Sequence, residues 1–433
     1  MPTLDTPAPP DTEQATSEFH VPTESNLLKQ VIVHTPGHEM ELVAPDNHAE
    51  LLFDDILFLG HARQEHQLMC SLFRKIVGRP DSVLQISELL RETFQIGDAR
   101  LDFIDRLCRS LPERNLRGVE GELKRLTPDE LHFFALTGKS DLPITLPPIP
   151  NLMFTRDLAA VVHDHIILSF AATAARTRES IIISVVLNYH PRFEAYRDNI
   201  VTLPPGVTFE GGDLLVASPK VVLIGHSERT SFGGVMAVAH ELFKRTPVEH
   251  VLAVDLPKQR ASMHLDTVFT FADSGECVAF PPLLEQPGFG YAVHLTPDAE
   301  DGVFRSDMRP NYKEALNDLL DREMTFIPCG GSDLLHQKRE QWTDGANLFA
   351  IAPGTVIGYE RNGRTFQQLQ EHGYRVVSVE NFLSYYENSE FIPGDEKIAL
   401  QLAGTELSRG RGGPRCMTLP IARYATPTGP TDS

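Results

Sequence analysis

The sequence predicts a mixed α/β fold in which short ββα units repeat around a common centre, with a helical insertion in the first half. Three observations predict it. The second half repeats one theme, a polar cluster followed by two short apolar runs around a turn. The units recur at very roughly 50–80 residues, a spacing typical of radial or solenoid architectures. Between residues 60 and 138, helical patterns replace the strand-like runs.

The first half contains one predicted strand and then helices. Lys29–Thr35 is an apolar-rich run of strand length. Further on, Thr127 precedes Pro128 and is followed three residues later by Glu130, the pattern of a capped helix start. We therefore expect a helical insertion at about residues 60–145.

Both ends of the chain are rich in Pro and Thr. Such composition favours flexible segments, because it offers little apolar surface to bury. We predict tails at residues 1–25 and 425–433, flanking a folded region at residues 26–424.

Four hairpins are predicted after residue 150. A polar cluster stands directly before the first strand of each hairpin, so a radial arrangement would bring these clusters to one axial site. A helix is predicted at Ser231–Lys244, from its apolar residues at i, i+3, i+4 and i+7. The predicted strand pairs are Leu158–Val162 with Ile166–Phe170, Leu214–Ala217 with Val221–Gly225, Thr267–Phe271 with Cys277–Phe280, and Leu348–Ala352 with Thr355–Tyr359.

Composition excludes several classes of function. A formal net charge of −20 over 433 residues argues against a nucleic-acid partner, because Lys and Arg supply most of that attraction. No apolar run approaches the roughly 18 residues of a membrane-spanning helix, and the N-terminus lacks the pattern of a signal peptide. The five cysteines are scattered without CxxC spacing, so we predict no disulfide framework and no zinc site. We expect a cytoplasmic protein that binds neither membrane nor nucleic acid.

Cys416 is the candidate nucleophile. Three nearby glycines allow a ligand to approach the backbone closely. Arg411 and Arg415 add positive charge, which favours the thiolate that nucleophilic catalysis needs. A cationic guanidinium bound beside the sulfur would lower its pKa further. The alternative interpretation is a small buried hydrophobic residue.

An imidazole and a carboxylate are predicted on one face. His264 and Asp266 are two residues apart, so in a strand both would point the same way. A histidine can serve as general acid and then as general base, and Glu210 is the candidate to orient it. The alternative is that His264 belongs to the core.

Two carboxylates are candidates for gripping a guanidinium, whose planar donors match carboxylate oxygens. They are Asp157 and Asp266, and the alternative for each is a turn or cap residue. Asn151 and Phe154 precede Asp157 and would line the same pocket.

Other polar residues have two interpretations. Arg229 and Arg411 are candidates for binding a substrate α-carboxylate; surface ion pairs or a helix-start charge would also explain Arg229. Arg176 is a candidate substrate contact, and an exposed helix start explains it equally well. His163–His165 could hold a metal, but it falls in a predicted hairpin turn, so we predict no metal site.

Taken in order, these clusters resemble the signatures of the arginine deiminase family. The resemblance runs from about residue 26 to about residue 423 and departs from the usual pattern at Leu158-Ala159, where Pro-Phe is more common. The matching segments are FTRD at Phe154–Asp157, EGGD at Glu210–Asp213, SERTS at Ser227–Ser231, MHLDT at Met263–Thr267 and GRGGPRCM at Gly410–Met417.

The resemblance implies an α/β fold, a five-bladed αβ propeller (pentein) with a helical insertion. It implies that Cys416 attacks the guanidinium carbon of L-arginine, expels ammonia, and forms an S-alkylthiouronium that water converts to L-citrulline. His264 would be the acid and base, oriented by Glu210, while Asp157 and Asp266 hold the guanidinium.

The resemblance also implies that Asn151, Arg229 and Arg411 hold the amino-acid end of the substrate. It implies no metal or organic cofactor, and a cytoplasmic homo-oligomer, dimer or tetramer.

Three alternatives compete with hydrolysis of L-arginine. An amidinotransferase would form the same adduct and pass the amidino group to an amine. An agmatine deiminase would leave the paired Arg229 and Arg411 without a carboxylate to bind. A catalytically inactive arginine-binding protein would be expected to lose the thiol or the imidazole, and this chain keeps both.

Overall fold

The computed structural model describes residues 19–111, 118–285, 290–298 and 303–425. All four predicted hairpins are present, with boundaries shifted by at most two residues. The strands are β1 Leu28–Val33, β2 Val83–Gln85, β3 Ala159–Val162, β4 His165–Leu168, β5 Ile200–Val201, β6 Leu214–Ser218, β7 Val221–His226, β8 His250–Asp255, β9 Phe269–Asp273, β10 Glu276–Ala279, β11 Ala292–Pro297, β12 Phe304–Arg309, β13 Thr325–Pro328, β14 Phe349–Ala352, β15 Thr355–Tyr359, β16 Arg375–Ser378, β17 Ile398–Leu402 and β18 Leu419–Arg423.

Helices connect these strands, and the predicted helix at Ser231–Lys244 is confirmed as α7, with the Ser231 hydroxyl accepting from the Gly234 amide at 3.1 Å. The helices are α1 Leu59–Val77, α2 Ile86–Thr93, α3 Gly97–Ser110, α4 Val119–Leu123, α5 Pro128–Thr137, α6 Thr177–Tyr189, α7 Phe232–Arg245, α8 Pro281–Glu285, α9 Tyr312–Leu320, α10 Leu334–Trp342, α11 Gly363–Glu371 and α12 Val379–Tyr385. None of the helices in these described ranges is long and apolar enough to cross a membrane.

Within the described residues the strands form five sheets that share one pattern. Each sheet contains an antiparallel pair whose second strand also pairs in parallel with a third strand. Because a parallel partner requires a crossover connection, helices lie between the second and third strands. The repeat is therefore confirmed, with a third strand added to each hairpin. The strand orders are β18-β1-β2, β3-β4-β5, β12-β11-β8-β7-β6, β13-β10-β9 and β14-β15-β17-β16.

One sheet is built from both ends of the described chain. Leu28 of β1 pairs with Arg423 of β18, and Ile32 pairs with Leu419, in antiparallel register. On its other side β1 pairs in parallel with β2. This sheet joins the start of the chain to its end, as a closed array of five units requires.

The insertion contains α1 to α5 and the short strand β2. At the start of α5 the capping box predicted from sequence is present. The Thr127 hydroxyl accepts from the Glu130 amide at 3.3 Å, and the Thr127 amide donates to Glu130 Oε2 at 2.8 Å. Two otherwise unpaired amides at the helix N-terminus are thereby satisfied.

The insertion shares its hydrophobic core with the second sheet. The rings of Phe94 and Phe103 are buried, with centroids 5.0 Å apart, and Phe134 of α5 belongs to the same cluster. That cluster also contains Val161 of β3 and Ile167 of β4. The helices therefore pack onto the repeated sheets and do not enclose a core of their own.

Residues 19–26 form an extended segment, here called the N-terminal strap. The His20 amide donates to the Ile421 carbonyl at 3.1 Å, and the Val21 amide donates to the His163 carbonyl at 2.8 Å. Phe19 and Val21 are buried. The prediction of a tail up to residue 25 is therefore wrong for residues 19–25, because their apolar side chains reach the core despite the polar composition around them.

Candidate active site

In each of the five antiparallel pairs, polar side chains precede the first strand, and these side chains meet at one place. Asp157 comes just before β3, Glu210 before β6, His264 before β9, Asn347 before β14 and Cys416 before β18. Neighbouring members of this group lie 2.9–3.7 Å apart at their closest polar atoms. The convergence predicted from the repeat is thus present in the structure.

His264 lies between two buried carboxylates. Its Nε2 is 2.9 Å from Glu210 Oε2, and its Nδ1 is 3.7 Å from Asp157 Oδ1. Gly212 makes this approach possible: a Cβ atom there would stand 2.8 Å from His264 Nδ1. The second glycine of the Glu210–Asp213 segment therefore clears space for the imidazole.

The carboxylates control the charge of the imidazole. Burial alone would lower the pKa of His264, but Asp157 and Glu210 raise it to about 9. Burial opposes ionisation of Glu210 as well, yet its hydrogen bond to His264 and the Arg176 guanidinium lower the pKa of that carboxyl. The pair is therefore an imidazolium and a carboxylate at neutral pH.

Asp213 fixes the backbone beside His264. Its Oδ1 accepts from the Leu265 amide at 2.9 Å, and its Oδ2 accepts from the Ser227 hydroxyl at 2.6 Å. Asp213 is fully buried, and burial raises its pKa to about 7. The last residue of the EGGD segment therefore connects the third and fourth sheets and positions His264 from behind.

Cys416 is held beside a carboxylate. Its amide donates to Asn347 Oδ1 at 3.0 Å, and its Sγ lies 3.9 Å from Asp266 Oδ2. Burial, together with Asp266 and Asp157, raises the pKa of the Cys416 thiol well above its usual value. Arg415 lowers this pKa, as expected from the sequence, but burial and the carboxylates outweigh it.

Asp157 and Asp266 each offer one free oxygen. Arg176 Nη1 donates to Asp157 Oδ2 at 2.5 Å, and Arg415 Nη1 donates to Asp266 Oδ2 at 2.7 Å. The Oδ1 atom of each aspartate is buried and has no hydrogen-bond partner among the described residues. Because an unpaired buried acceptor is costly, these two oxygens indicate a place for a ligand that carries donors.

A small cavity of about 30 Å³ adjoins these groups. That volume holds about one water, so the cavity must widen to admit an amino acid. Its lining includes Asn151, Phe154, Asp157, Arg229 and Arg411, which were substrate-binding candidates from the sequence; Asp266 lies behind it, beside Cys416. The lining residues are Leu52, Asn151, Phe154, Asp157, Arg176, Glu210, Arg229, Arg260, Met263, His264, Thr267, Arg411 and Cys416.

Two arginines in the lining have unused donors. Arg229 Nε, and Nε and Nη1 of Arg411, are buried without a hydrogen-bond partner among the described residues. Arg411 adopts a left-handed backbone conformation with φ of 63°, and its guanidinium lies 3.5 Å from the centre of the Trp342 ring. Both side chains can therefore offer donors to an anionic group entering the cavity.

Arg176 is an internal ion-pair partner. Its Nε donates to Glu179 Oε2 at 2.8 Å, and its Nη2 donates to the Asn151 carbonyl at 3.2 Å, in addition to the bond to Asp157. It is 5 % exposed, so the interpretation as an exposed helix start is wrong. Arg176 lines the cavity and holds Asp157 in place.

Asp157, Glu210 and His264 would also serve as metal donors, since their ligand atoms lie within 4.8 Å of one another. Arg176 Nη1 is 2.5 Å from Asp157 and 3.7 Å from Glu210. A guanidinium therefore already provides the positive charge between these carboxylates, and a second cation there would meet strong repulsion. The arrangement fits proton transfer better than metal binding.

Solved structures identify the class of fold. An amidinotransferase of the saxitoxin biosynthetic pathway from Microseira wollei superposes with a TM-score of 0.54, covering 95% of this chain and 99% of that one at 13% sequence identity. At that identity the likeness shows the fold alone. The chain is thus a mixed α/β protein of the pentein class.

Sequence comparisons identify the family. The family model for arginine deiminase matches residues 110–383. The arginine deiminase of Bacillus thuringiensis subsp. konkukian is 34% identical, with coverage of 94% of this chain and 98% of that protein. The arginine deiminase of Listeria monocytogenes is 35% identical with the same coverage. The chain belongs to the arginine deiminase family.

Sequence reasoning missed three residues near the site. Asn347 bridges the Cys416 amide and the Asp266 carbonyl, at 3.0 Å each; its place before the fourth hairpin was the available signal. Arg260 lines the cavity and donates to Asp54 at 3.0 Å, with no signal beyond its position near His264. Glu24 binds Arg415, and no motif pointed to it.

Proposed function

We propose that this chain is an arginine deiminase that hydrolyses L-arginine to L-citrulline and ammonia through a covalent adduct on Cys416. One observation carries the proposal. A buried thiol, an imidazolium and an unpartnered oxygen of Asp157 line one small cavity, and Asp266, which carries a second unpartnered oxygen, lies 3.9 Å from the thiol sulfur. A planar guanidinium is a cation with donors on its edges, so it fits both oxygens at once.

Binding of the substrate activates the Cys416 thiol by favouring its ionised form. Burial and the carboxylates by themselves keep Cys416 protonated. A guanidinium between Asp157 and Asp266 neutralises the charges that oppose the thiolate. The substrate cation itself then lowers the pKa of the nucleophile, because opposite charges a few ångströms apart favour ionisation.

In the first half of the reaction, the Cys416 thiol releases its proton to solvent as the substrate cation binds, and Sγ forms a bond to the guanidinium carbon. The bond from that carbon to one terminal nitrogen breaks, and His264 gives its proton to the leaving ammonia. Glu210 holds the imidazole in position at 2.9 Å. The product of this half is an S-alkylthiouronium on the enzyme.

In the second half, His264 is neutral and removes a proton from water. The water oxygen bonds to the same carbon, the carbon–sulfur bond breaks, the second water proton passes to Cys416 Sγ, and L-citrulline leaves. The sum is one arginine and one water converted to one citrulline and one ammonia, so no further reactant is needed. Asp157 and Asp266 hold the planar guanidinium group of the substrate, and of the adduct formed from it, in both halves of the reaction.

The other end of the substrate is assigned to the lining arginines. The free donors of Arg229 and Arg411 support binding of an α-carboxylate, and Asn151 lies beside them in the lining. Agmatine has no carboxylate and would leave these donors unpaired. We further infer a cytoplasmic location, supported by the five unpaired cysteines of the described chain; a homo-oligomer is proposed from the family resemblance alone.

Product analysis with L-arginine tests the function. We expect equal amounts of citrulline and ammonia, unchanged by a chelator. Cys416→Ala should lower turnover by at least about 10⁴-fold, because it removes the nucleophile. Cys70→Ala is the matched control, since Cys70 is equally buried but lies in α1, and it should retain activity.

Three outcomes would contradict the proposal. Turnover of agmatine without turnover of L-arginine would remove the carboxylate assignment. Transfer of the amidino group to an added amine would identify a transferase. Residual activity of Cys416→Ala close to that of Cys70→Ala would exclude the covalent adduct.

A further inference from the structure

The N-terminal strap carries a carboxylate into the centre of the molecule. Besides the contacts of His20 and Val21, the Glu24 amide donates to the Val216 carbonyl at 2.8 Å. The strap thus contacts β18, the β3–β4 turn and β6. Glu24 is 8 % exposed. Its side chain binds Arg415, which directly precedes Cys416, and interacts with Arg156, which directly precedes Asp157.

Glu24 and Arg415 form a two-point ion pair. Arg415 Nη2 donates to Glu24 Oε1 at 3.0 Å, and Nε donates to Oε2 at 3.3 Å. Burial favours the neutral carboxyl, but Arg415, Arg156 and Arg423 lower the pKa of Glu24 below its usual value. All three arginines are buried, and Glu24 is one of two carboxylates, with Asp266, that offset their charge.

Arg415 uses its remaining donors on the site. Nη1 donates to Asp266 Oδ2 at 2.7 Å, and Nη2 also donates to the Leu214 carbonyl at 2.9 Å. With its Nε edge on Glu24, the guanidinium reaches Asp266 through a single nitrogen. Asp266 Oδ1 consequently stays without a partner.

We propose that Glu24 is a positioning residue for the reaction at Cys416. It holds one edge of Arg415, restricts that guanidinium to a single oxygen of Asp266, and leaves the other oxygen for the guanidinium of the substrate. This inference rests on the proposed function. It assigns the strap a role in recognition of the substrate cation.

Loss of the Glu24 charge has two consequences for the site. Arg415 is released to grip Asp266 with two nitrogens, the favoured geometry of an arginine–carboxylate pair, and so competes with the substrate. Asp266 is then the remaining carboxylate of the pair that offsets Arg156 and Arg415, so the positive charge increases beside a pocket that must accept a cation. Both effects weaken the binding of L-arginine, whose guanidinium is charged. They affect the binding of L-citrulline much less, because its ureido group is neutral.

Glu24→Gln tests the proposal, since it keeps the size of the side chain and removes its charge. We expect KM for L-arginine to rise by at least about tenfold, as for loss of a charged hydrogen bond. The inhibition constant of L-citrulline should change less than about threefold. Glu39→Gln is the matched control: Glu39 is 1 % exposed and paired with His34 at 2.9 Å, away from the site, and both constants should stay unchanged.

The conservative variant Glu24→Asp keeps the experiment decisive if Glu24→Gln does not fold. It retains the charge on a shorter side chain, so KM for L-arginine should rise by a smaller factor than in Glu24→Gln. The inhibition constant of L-citrulline should stay unchanged. Equal weakening of arginine and citrulline, or an unchanged KM, would overturn the positioning role. Absence of citrulline production by the unmodified enzyme would instead overturn the proposed function, so the two failures are distinguishable.

Discussion

The charge of one imidazole determines where activity declines with pH. His264 must be protonated to give a proton to ammonia, and Asp157 and Glu210 raise its pKa to about 9 despite burial. A raised pKa keeps the acid form up to that pH and loses it above. We therefore expect kcat/KM for L-arginine to fall as pH rises through about 9, measured as citrulline formed at constant ionic strength.

The comparison with Glu210→Gln assigns this decline to the enzyme. The α-amino group of the substrate titrates in the alkaline range too, but it is the same for both proteins. Removing the Glu210 charge lowers the pKa of His264, so the decline should begin at lower pH in the variant. Identical alkaline profiles for the two proteins would show that His264 is not the group responsible.

At single positions, the sequence predicted the chemical role of a residue better than it predicted the charge state of that residue. Cys416, His264 and Glu210 stand in compact motifs whose residue types indicate their roles. The partner of Arg415 lies 391 positions earlier in the chain, and no local pattern links the two. Arg415 does lower the pKa of Cys416, as expected, but burial and the neighbouring carboxylates, which no local pattern showed, raise it more.

At the level of elements, a single 3-10 turn precedes three of the first strands. The turns cover Thr155–Leu158, Gly211–Asp213 and Leu265–Thr267. Glu210 and His264 stand immediately before two of them, and each turn contains an aspartate. The turn rotates the chain into the strand, so these side chains point to the shared centre. The sequence showed the polar clusters but not the turns, since 3-10 segments of this length have no periodicity.

The two shortest parallel third strands were also beyond sequence reasoning. β5 has two residues, and β2 has three. An alternating pattern needs about four to eight residues to be recognised. These strands form because the hairpin beside them presents an unpaired edge and a helix returns the chain to it, which is a tertiary cause.

The capping box of α5 gives a prediction for one element. Thr127→Ala removes the hydroxyl that accepts from the Glu130 amide. We expect the free energy of unfolding to fall by about 1 kcal/mol, measured as a lower urea midpoint with an unchanged slope. Activity should be unaffected, because the cap is exposed and lies outside the cavity lining.

Thr127→Ser is the control for that measurement. Serine retains the accepting hydroxyl, so its urea midpoint should stay close to that of the unmodified protein. A loss of the same size in Thr127→Ser would attribute the effect to the methyl group and contradict the capping interpretation.

At the scale of the whole molecule, the insertion and the repeated sheets share one interior. Phe134 of α5 and Ile167 of β4 belong to the same buried cluster. In the fifth sheet, Phe349 of β14 contacts Phe73 of α1, with ring centroids 5.4 Å apart. The insertion is therefore continuous with the catalytic body at two places, and we expect the described chain to unfold as one cooperative unit.

Phe134→Ala tests this cooperativity. Phe134 is fully buried, whereas its neighbour Phe133 is 46 % exposed, which makes Phe133→Ala a matched control on the same helix. Loss of a buried phenylalanine costs about 3–5 kcal/mol. Trp342, the one tryptophan of the chain, stacks on Arg411 beside the active site and reports unfolding there. In a cooperative molecule, Phe134→Ala lowers the urea midpoint of Trp342 fluorescence and of far-ultraviolet circular dichroism together. An early loss of helical signal with an unshifted Trp342 transition would instead show that the insertion folds as a separate unit.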